Sequence, residues 1–563
     1  MVKFKDLKYE RYTIDRLRAE VEPQIAAVEN AQTFADALKA REKANEAFGH
    51  FATMSALSYA RYSLDTRDKF YTGEVEYYDG NSPYMQDLGA RIGKAFAEGK
   101  FKKDVEAMSP ALVKSIENTL KANAPEIIPD KQQEAAVVMQ YSKLMSTMQF
   151  DFDGKKLPLS VVRGELNSSD RNVRKAAAEA IGKGLAAHSE ELDGIFDRLV
   201  KIRDAMAKKL GYENYIELGY YRMDRKDYNR CDVAAFRDSV KKYIVPAVCE
   251  LKAELKKELG LEKFMFYDNN TTLKDEPRPT LNKEEMFEAA QNMYDDMNGE
   301  IGKFMRFMRE SDAFDVEARD GKWGGGYCTE FHDYRQPFIL ANWNGTCDDV
   351  DVLTHEFGHA FASINAMTHG IFELNVGGME TAECHSMSME LFCHPYMDKF
   401  FGKDGDKYRY RHLFKNIDFI PYGVIVDEFQ HRIYENPSLT PKERNAVFKE
   451  LTEKYMPYMT YDGIPYLEEG TRWQYQMHIF ESPFYYIDYC LAQTVALEFF
   501  AYAQKNYDAA LGAYIDFLKK GGSKMFKTLV SEAGLESPFN EKALEKVADA
   551  TLKELKRLKA KIR

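Results

Sequence analysis

The chain has 563 residues, of which 45% are hydrophobic and 30% charged, with a formal net charge of −12; this balance is typical of a folded globular protein rather than a disordered or fibrous one. Acidic and basic residues are interspersed, and no basic stripe, signal-peptide core or run of 18 apolar residues occurs, so neither nucleic acid nor a membrane is expected as a partner. Its seven cysteines are scattered and never form a CxxC pair, which predicts a cytoplasmic protein without a disulfide framework.

Helical spacing of apolar and charged residues dominates the chain. It is clearest in residues 1–60, 85–150, 231–260, 283–312 and 538–563. Between Ser168 and Gly211, a Ser/Asp start, an alanine-rich body and a terminal glycine predict two helices with a break near Gly182–Gly184. We therefore predict a mainly α protein, with an N-terminal helical lobe over residues 1–185 and a second lobe over residues 186–563.

Strand signals are sparse and local. The best is QPFILANWNGT, residues 336–346, which follows the glycine-rich turn WGGGY at residues 323–327. This strand predicts a small β-sheet and is placed to pair with an extended peptide, although a buried sheet without a ligand role is the alternative. The proline-containing loop at residues 268–280 is the clearest break earlier in the chain.

The stretch THEFGHA, residues 354–360, lies in a segment with the signals of one helix over residues 348–369. Aspartates at the start suit the positive end of the helix dipole, and Gly370 follows where a C-terminal cap would fall. His355 and His359 share one face, about 40° apart. A different face carries the apolar residues Leu353, Phe357, Ala360 and Ile364. Because the histidine face continues with alanines, burial on both sides of the helix is expected.

Two histidines four residues apart on a helix can converge on one Zn²⁺ ion. Glu356 then lies beside the metal, where a carboxylate can hold and deprotonate a water molecule. The alternative is an ordinary helix turn, but the HExxH pattern is expected by chance only about 0.02 times in a chain of this composition. The pattern therefore favours a metal site and leaves the reaction open.

A catalytic zinc site needs a third protein ligand. The metzincin pattern is excluded, because Ala362 and Asn365 stand where it requires glycine and histidine. The next helical segment, residues 377–395, offers other candidates. They are Glu380, Glu383, His385, Glu390 and His394. Glu383 shares a methionine-rich stripe with Glu390, so both need buried partners, whereas Glu380 is expected to be an exposed charge or a group that supports a ligand.

HEFGH, followed 24 residues after its second histidine by the glutamate of ECHSMSME, resembles the thimet-oligopeptidase-like metallopeptidases. The similarity points to their oligoendopeptidase F and Pz-peptidase branch. It implies that His355, His359 and Glu383 bind one zinc ion and that Glu356 is the general base. Glu390 fits the position of a second glutamate in that motif.

The resemblance extends over at least residues 150–550, including LGYENYIELGYYRMDRKDYN and EAGLESPFNEKALEKV. It implies a mainly helical metallopeptidase with a small β-sheet beside the active site and a deep channel that admits oligopeptides. Ala362, Cys384 and His385 depart from residues common in the family. These departures leave the ligands intact and affect the expected subsites.

The segment MHIFESPFYYIDYCLAQ, residues 477–493, is rich in tyrosine, whose hydroxyl is a hydrogen-bond donor at neutral pH. By the resemblance, His478, Tyr486 and Tyr489 are expected to bind the substrate carbonyl and stabilise the negative charge that builds on it. The family's glycine-rich loop is missing here, so the register is open by a residue or two, and Tyr485 is the alternative to Tyr486.

The leading hypothesis is a zinc endopeptidase, with one metal ion in each chain, that hydrolyses internal bonds of short unstructured oligopeptides. A dipeptidyl-carboxypeptidase or carboxypeptidase of the same HExxH-plus-glutamate class is the alternative, and a non-catalytic peptide-binding protein is a remote one. A monomer or a small homo-oligomer is expected, and Co²⁺ or Mn²⁺ are the alternatives to Zn²⁺ in the cell.

Overall fold

The structure is a computed structural model that describes residues 2–366, 370–375 and 377–562, and it is mainly α-helical as predicted. Side chains cap the first helices: Thr13 accepts the amide hydrogen of Arg16, and Thr33 that of Asp36. The helices of this region are α1 (Ile14–Glu29), α2 (Phe34–Leu64), α3 (Lys69–Ala97), α4 (Lys102–Met108), α5 (Pro110–Ala122) and α6 (Ile128–Thr147).

Eight further helices continue the chain. They are α7 (Leu159–Gly164), α8 (Arg171–Ala187), α9 (Ser189–Lys209), α10 (Tyr215–Arg222), α11 (Arg230–Ser239), α12 (Val245–Glu258), α13 (Lys283–Met297) and α14 (Gly299–Glu310). The two helices predicted after Ser168 are α8 and α9, but the predicted break at Gly182–Gly184 is wrong, because the break lies at His188. These glycines serve packing instead: a Cβ on Gly182 would lie 2.0 Å from the carbonyl oxygen of Pro465.

Two small sheets are present, and the predicted strand near the histidine motif is confirmed. The strands are β1 (Phe150–Phe152), β2 (Lys155–Leu157), β3 (Phe314–Glu317), β4 (Tyr327–Phe331) and β5 (Gln336–Trp343). β1 and β2 pair with each other, whereas β5 lies between parallel β3 and antiparallel β4. The prediction that β5 can pair with a peptide is therefore wrong, since both its edges are occupied. In the described chain, the far edge of β4 has no partner strand.

The remaining helices carry the candidate site. They are α15 (Cys347–Ala366), α16 (Phe372–Asn375), α17 (Met379–Phe392), α18 (Asp398–Phe401), α19 (Gly405–Glu435), α20 (Pro441–Tyr455), α21 (Met477–Glu481), α22 (Tyr486–Ala503), α23 (Tyr507–Lys520), α24 (Phe526–Glu532) and α25 (Glu541–Ile562). The helix predicted over residues 348–369 is α15, and residues 367–369 lie outside the described residues. Asp349 fixes the start, because its carboxylate accepts the amide hydrogens of Asn344 and Gly345 at 2.9 and 2.7 Å.

Buried apolar side chains form two clusters. One cluster contains buried residues from the helices before residue 117 and from β4 and β5. The other contains buried residues taken from the chain between residues 122 and 558. A lobe boundary at residue 185 stays a prediction. All seven cysteine thiols are free. Within the described residues, no helix combines the length and the apolar character that crossing a membrane requires.

Candidate metal centre

Three side chains from α15 and α17 meet at one point. Nε2 of His355 and Nε2 of His359 each lie 3.5 Å from Oε2 of Glu383. One donor atom from each of the three residues lies within 4.8 Å of the others. Ligands about 2.1 Å from a tetrahedral Zn²⁺ ion are about 3.4 Å apart, so this donor set fits zinc. The structure brings together the three residues that the sequence singled out.

The two helices that carry these ligands are in direct backbone contact. A Cβ on Gly358, in the middle of HEFGH, would lie 2.7 Å from Cα of Ser386 and 2.8 Å from the carbonyl oxygen of His385. Only glycine allows so close an approach. Helix packing therefore sets the distance between the two histidines on α15 and the carboxylate on α17.

Glu356 points beside the three ligands rather than at the same point. Its side chain is buried, with 8% of the residue surface exposed. Burial raises the pKa of its carboxyl above the ordinary value, against the opposing charges of His355 and His359. A buried carboxylate beside the ligands, without a cation of its own, is placed to take a proton.

Glu390 orients the first histidine. Its Oε1 lies 2.6 Å from Nδ1 of His355, which leaves Nε2 of that ring free to face Glu383. The other oxygen of Glu390 lies 2.7 Å from Nε2 of His412, and Nδ1 of His412 lies 2.9 Å from Nε2 of His394. Glu390 thus has the buried partners that the sequence required. His412, on α19, was missed because no local pattern connects it with α15.

Two other candidates on α17 stay outside the ligand set. The expectation of an exposed Glu380 is wrong, since only 3% of its surface is exposed. Burial and the charge of Asp488 raise the pKa of Glu380 to about 8, and the hydroxyl of Tyr228 donates to it at 3.3 Å. His385 is also buried, and burial lowers its pKa to about 3. It lies on the side of α17 that faces Phe517.

His478 is held in one orientation and one protonation state. Its Nδ1 accepts a hydrogen bond from the side-chain nitrogen Nε2 of Gln476 at 2.9 Å. The single proton of the neutral ring is therefore on Nε2 of His478. Burial lowers the pKa of His478 to about 4, against the charge of Glu383. A neutral imidazole with Nε2–H is a hydrogen-bond donor at neutral pH.

Tyr485, rather than the expected Tyr486, contacts Glu383, so the contact lies one residue earlier in the tyrosine segment. The hydroxyl of Tyr485 donates to Oε1 of Glu383, and the ring of Tyr489 lies 4.8 Å from that of Tyr485. Burial and the charge of Glu383 raise the pKa of both phenols, which therefore stay protonated. Tyr486 contacts the ring of His478 at 4.9 Å but packs against Tyr422, so the alternative register, with Tyr485, has the polar contact.

A strand edge lies beside α15, and a cavity lies next to the start of the tyrosine segment. β4 lies beside α15. Burial raises the pKa of the Cys328 thiol in β4, and the negative charge of Glu356 raises it further. A cavity of about 460 Å³ lies between α2, α3, α5 and α6 on one side and α10 with residues 481–483 on the other. Its lining includes Glu481, Ser482 and Pro483, which directly precede the tyrosines at the start of α22.

A helix that supplies two histidines and a buried glutamate, with a second glutamate from a packed helix, defines the site of a helical metallopeptidase. Residues 166–549 match the profile of peptidase family M3, and residues 4–123 match the peptidase M3 N-terminal domain. The chain belongs to peptidase family M3 and is a metallo-oligopeptidase, which confirms the predicted fold class.

Known relatives agree with this assignment. Oligopeptidase PepF of Bacillus subtilis is 23% identical over 81% of this chain and 68% of its own length. The chromosomal oligoendopeptidase F of Lactococcus lactis subsp. cremoris is 24% identical over 70% of this chain and 65% of its own length. The solved structure of Pz peptidase A with an inhibitor is 38% identical, covers 99% of both chains and has a TM-score of 0.95.

Proposed function

We propose that this oligopeptidase is a zinc-dependent endopeptidase that hydrolyses internal bonds of short, unstructured peptides. The observation that carries the proposal is the equal 3.5 Å spacing of His355 Nε2 and His359 Nε2 from Glu383 Oε2, with Glu356 buried beside them. These residues would hold the ion, which as a Lewis acid polarises a carbonyl and lowers the pKa of water.

The chain's own groups account for the proton transfers. The Glu356 carboxylate accepts a proton from the attacking water and returns it to the nitrogen of the departing amine. Negative charge meanwhile builds on the carbonyl oxygen. Nε2–H of His478 and the hydroxyl of Tyr489 are donors for it, each contributing about 3 kcal/mol, and Tyr485 joins them when its single hydroxyl hydrogen turns from Glu383 to the substrate. Tyr485 thus takes the role first expected for Tyr486.

The surroundings suit an extended peptide. The free edge of β4 offers backbone donors and acceptors along α15, and the adjoining cavity accepts further residues of the chain. A folded protein has no such free backbone to offer. The PepF and oligoendopeptidase F names of the relatives support peptide substrates, and the free cysteines suit a cytoplasmic site of action.

Metal analysis and one blocked peptide test this proposal. We expect about one zinc ion per chain by the ligand set, loss of activity after chelation, and recovery with zinc. An internally quenched peptide blocked at both ends should be cleaved internally. If only peptides with a free carboxyl terminus were cleaved, a dipeptidyl-carboxypeptidase or carboxypeptidase would replace the endopeptidase; a protein that binds peptides without cleaving any would contradict catalysis altogether.

Two phenylalanine variants test the tyrosine register. Tyr485→Phe removes the hydroxyl that contacts Glu383, so we expect kcat to fall about 100-fold with little change in KM. Tyr486→Phe is the matched control, because it removes a neighbouring hydroxyl that has no contact with the ligands, and should change kcat less than about threefold by the same reasoning. Steady-state kinetics on one quenched peptide measures both, and the reverse order would return the role to Tyr486.

A further inference from the structure

One arginine next to the site has no polar partner. Arg472, in the short turn before α21, makes no hydrogen bond or ion pair within the described residues, and its Nε is buried without an acceptor. Its contacts are aromatic. The guanidinium carbon lies 3.7 Å from the ring centre of Tyr422, 5.5 Å from that of Phe266 and 5.9 Å from that of Tyr475.

Other deeply placed arginines of this chain are paired. Arg203 lies 2.6 Å from a carboxylate oxygen of Glu134, and Arg225 lies 3.1 Å from one of Asp488. Such pairing is the rule, because an isolated buried charge is costly. The titratable groups around Arg472 are phenols, and burial raises the pKa of Tyr422 to about 12, so that this ring carries no charge at neutral pH. The surroundings of Arg472 therefore hold a cation without supplying an anion.

Tyr422, which contacts Arg472, also contacts the segment that carries His478 and the tyrosines. The hydroxyl of Tyr422 donates to Oε1 of Gln476 at 2.7 Å, and Gln476 in turn donates to Nδ1 of His478. The ring of Tyr486 bridges the same gap, 5.8 Å from Tyr422 and 4.9 Å from His478. Two side chains, Tyr422 and either Gln476 or Tyr486, therefore separate Arg472 from the expected carbonyl donor, a separation on the scale of a few residues of an extended peptide at about 3.3 Å each.

We propose that Arg472 binds a carboxylate of the peptide substrate, within a few residues of the cleaved bond. The inference rests on the proposed peptidase function. A guanidinium held flat on a tyrosine presents its planar fork to a carboxylate with little further loss of freedom. Peptides carry this group in two places, the C-terminal carboxylate and the side chains of aspartate and glutamate. Either source supplies the missing anion.

Matched peptides distinguish the two sources. One series compares a free C-terminal carboxylate with its amide, and the other compares glutamate with glutamine at each of the three positions on either side of the cleaved bond. In the wild type, loss of the recognised carboxylate should raise KM at least about tenfold, the effect of one charge-assisted hydrogen bond. Arg472→Gln should abolish that difference without changing cleavage of the uncharged peptide, and Arg472→Lys should keep part of it.

Arg163→Gln is the control for long-range charge, because Arg163 lies 5.7 Å from the ring of Tyr475 and is exposed. This variant should leave unchanged the ratio of KM values between the amide and acid peptides. The proposal is overturned if wild type cleaves all matched peptides within about twofold, if the ratio survives in Arg472→Gln, or if that variant slows every peptide alike, as a merely supporting residue would.

Binding separates this inference from the proposed function. Calorimetric titration of a Glu356→Gln variant with the same peptides reports carboxylate recognition without turnover. If the wild type cleaves no peptide, the peptidase proposal fails, while acid-dependent binding that Arg472→Gln abolishes still supports the carboxylate site. If peptides are cleaved but bind equally as acid and amide, only the Arg472 inference fails.

Discussion

Glu356→Gln should lower kcat/KM about 1000-fold or more, while zinc content and peptide affinity stay close to those of the wild type. Glutamine keeps the size and hydrogen-bonding shape of the side chain but cannot accept the proton of the attacking water. The histidines and Glu383 are untouched by the change. Quenched-peptide kinetics, metal analysis and calorimetric binding of an uncleaved peptide measure the three quantities.

The matched control is Glu498→Gln on α22. Glu498 is also a buried glutamate, and burial raises its pKa to about 8. Its carboxylate accepts a hydrogen bond from the backbone N–H of Glu536 and does not lie among the ligands. This variant should retain activity within about twofold, as expected for a residue outside the site. Retained activity in Glu356→Gln would remove Glu356 from the mechanism, and loss of zinc would assign it a structural role instead.

Glu383→Gln should weaken zinc binding at least about 100-fold and abolish activity at ordinary zinc concentrations, because a neutral amide replaces the anionic ligand. Glu380→Gln on the same helix is the contrasting variant. The raised pKa of Glu380 makes the neutral carboxylic acid its main form at neutral pH, so glutamine replaces it with a group of similar charge and shape. Zinc titration with a competing chelator compares the two.

Equal zinc affinity in the two variants would contradict the ligand assignment. If Glu380→Gln lost the metal and Glu383→Gln kept it, the second ligand motif would have to be shifted by one helical turn. Partial restoration of Glu383→Gln by high zinc is compatible with the assignment, since His355 and His359 remain. Circular dichroism of both variants controls for loss of helix packing.

The three candidate ligands could be predicted from the sequence because their placement depends on helical periodicity. HEFGH fixes the relation of His355 to His359 within one helix, and the methionine-rich stripe marked Glu383 as buried. Glu380 was misjudged for a related reason. At 100° per residue Glu380 lies only about 20° from Met387, so it belongs with the buried stripe, and α22 covers it and places Asp488 close by, a tertiary contact that no local pattern records.

Three other features also required the fold. The position of β5 between two strands depends on pairing with β3, which lies before the glycine-rich turn. The tyrosine register turns on one residue, because Tyr485, just before α22, contacts Glu383, whereas the ring of Tyr486 packs against Tyr422 and His478. His412 reaches Glu390 from a different helix, so its role follows from packing alone.

The glycine contact between α15 and α17 also bears on thermodynamic linkage. Because Gly358 lets the two helix backbones touch, the packing of α15 on α17 brings the three donor atoms together, and a metal bound there would be a ligand of the folded state. Such a ligand raises the free energy of unfolding with its concentration, by about 4 kcal/mol at a thousandfold excess over Kd. Zinc bound at the proposed site would therefore couple the resistance of this peptidase to unfolding to the zinc supply of its surroundings.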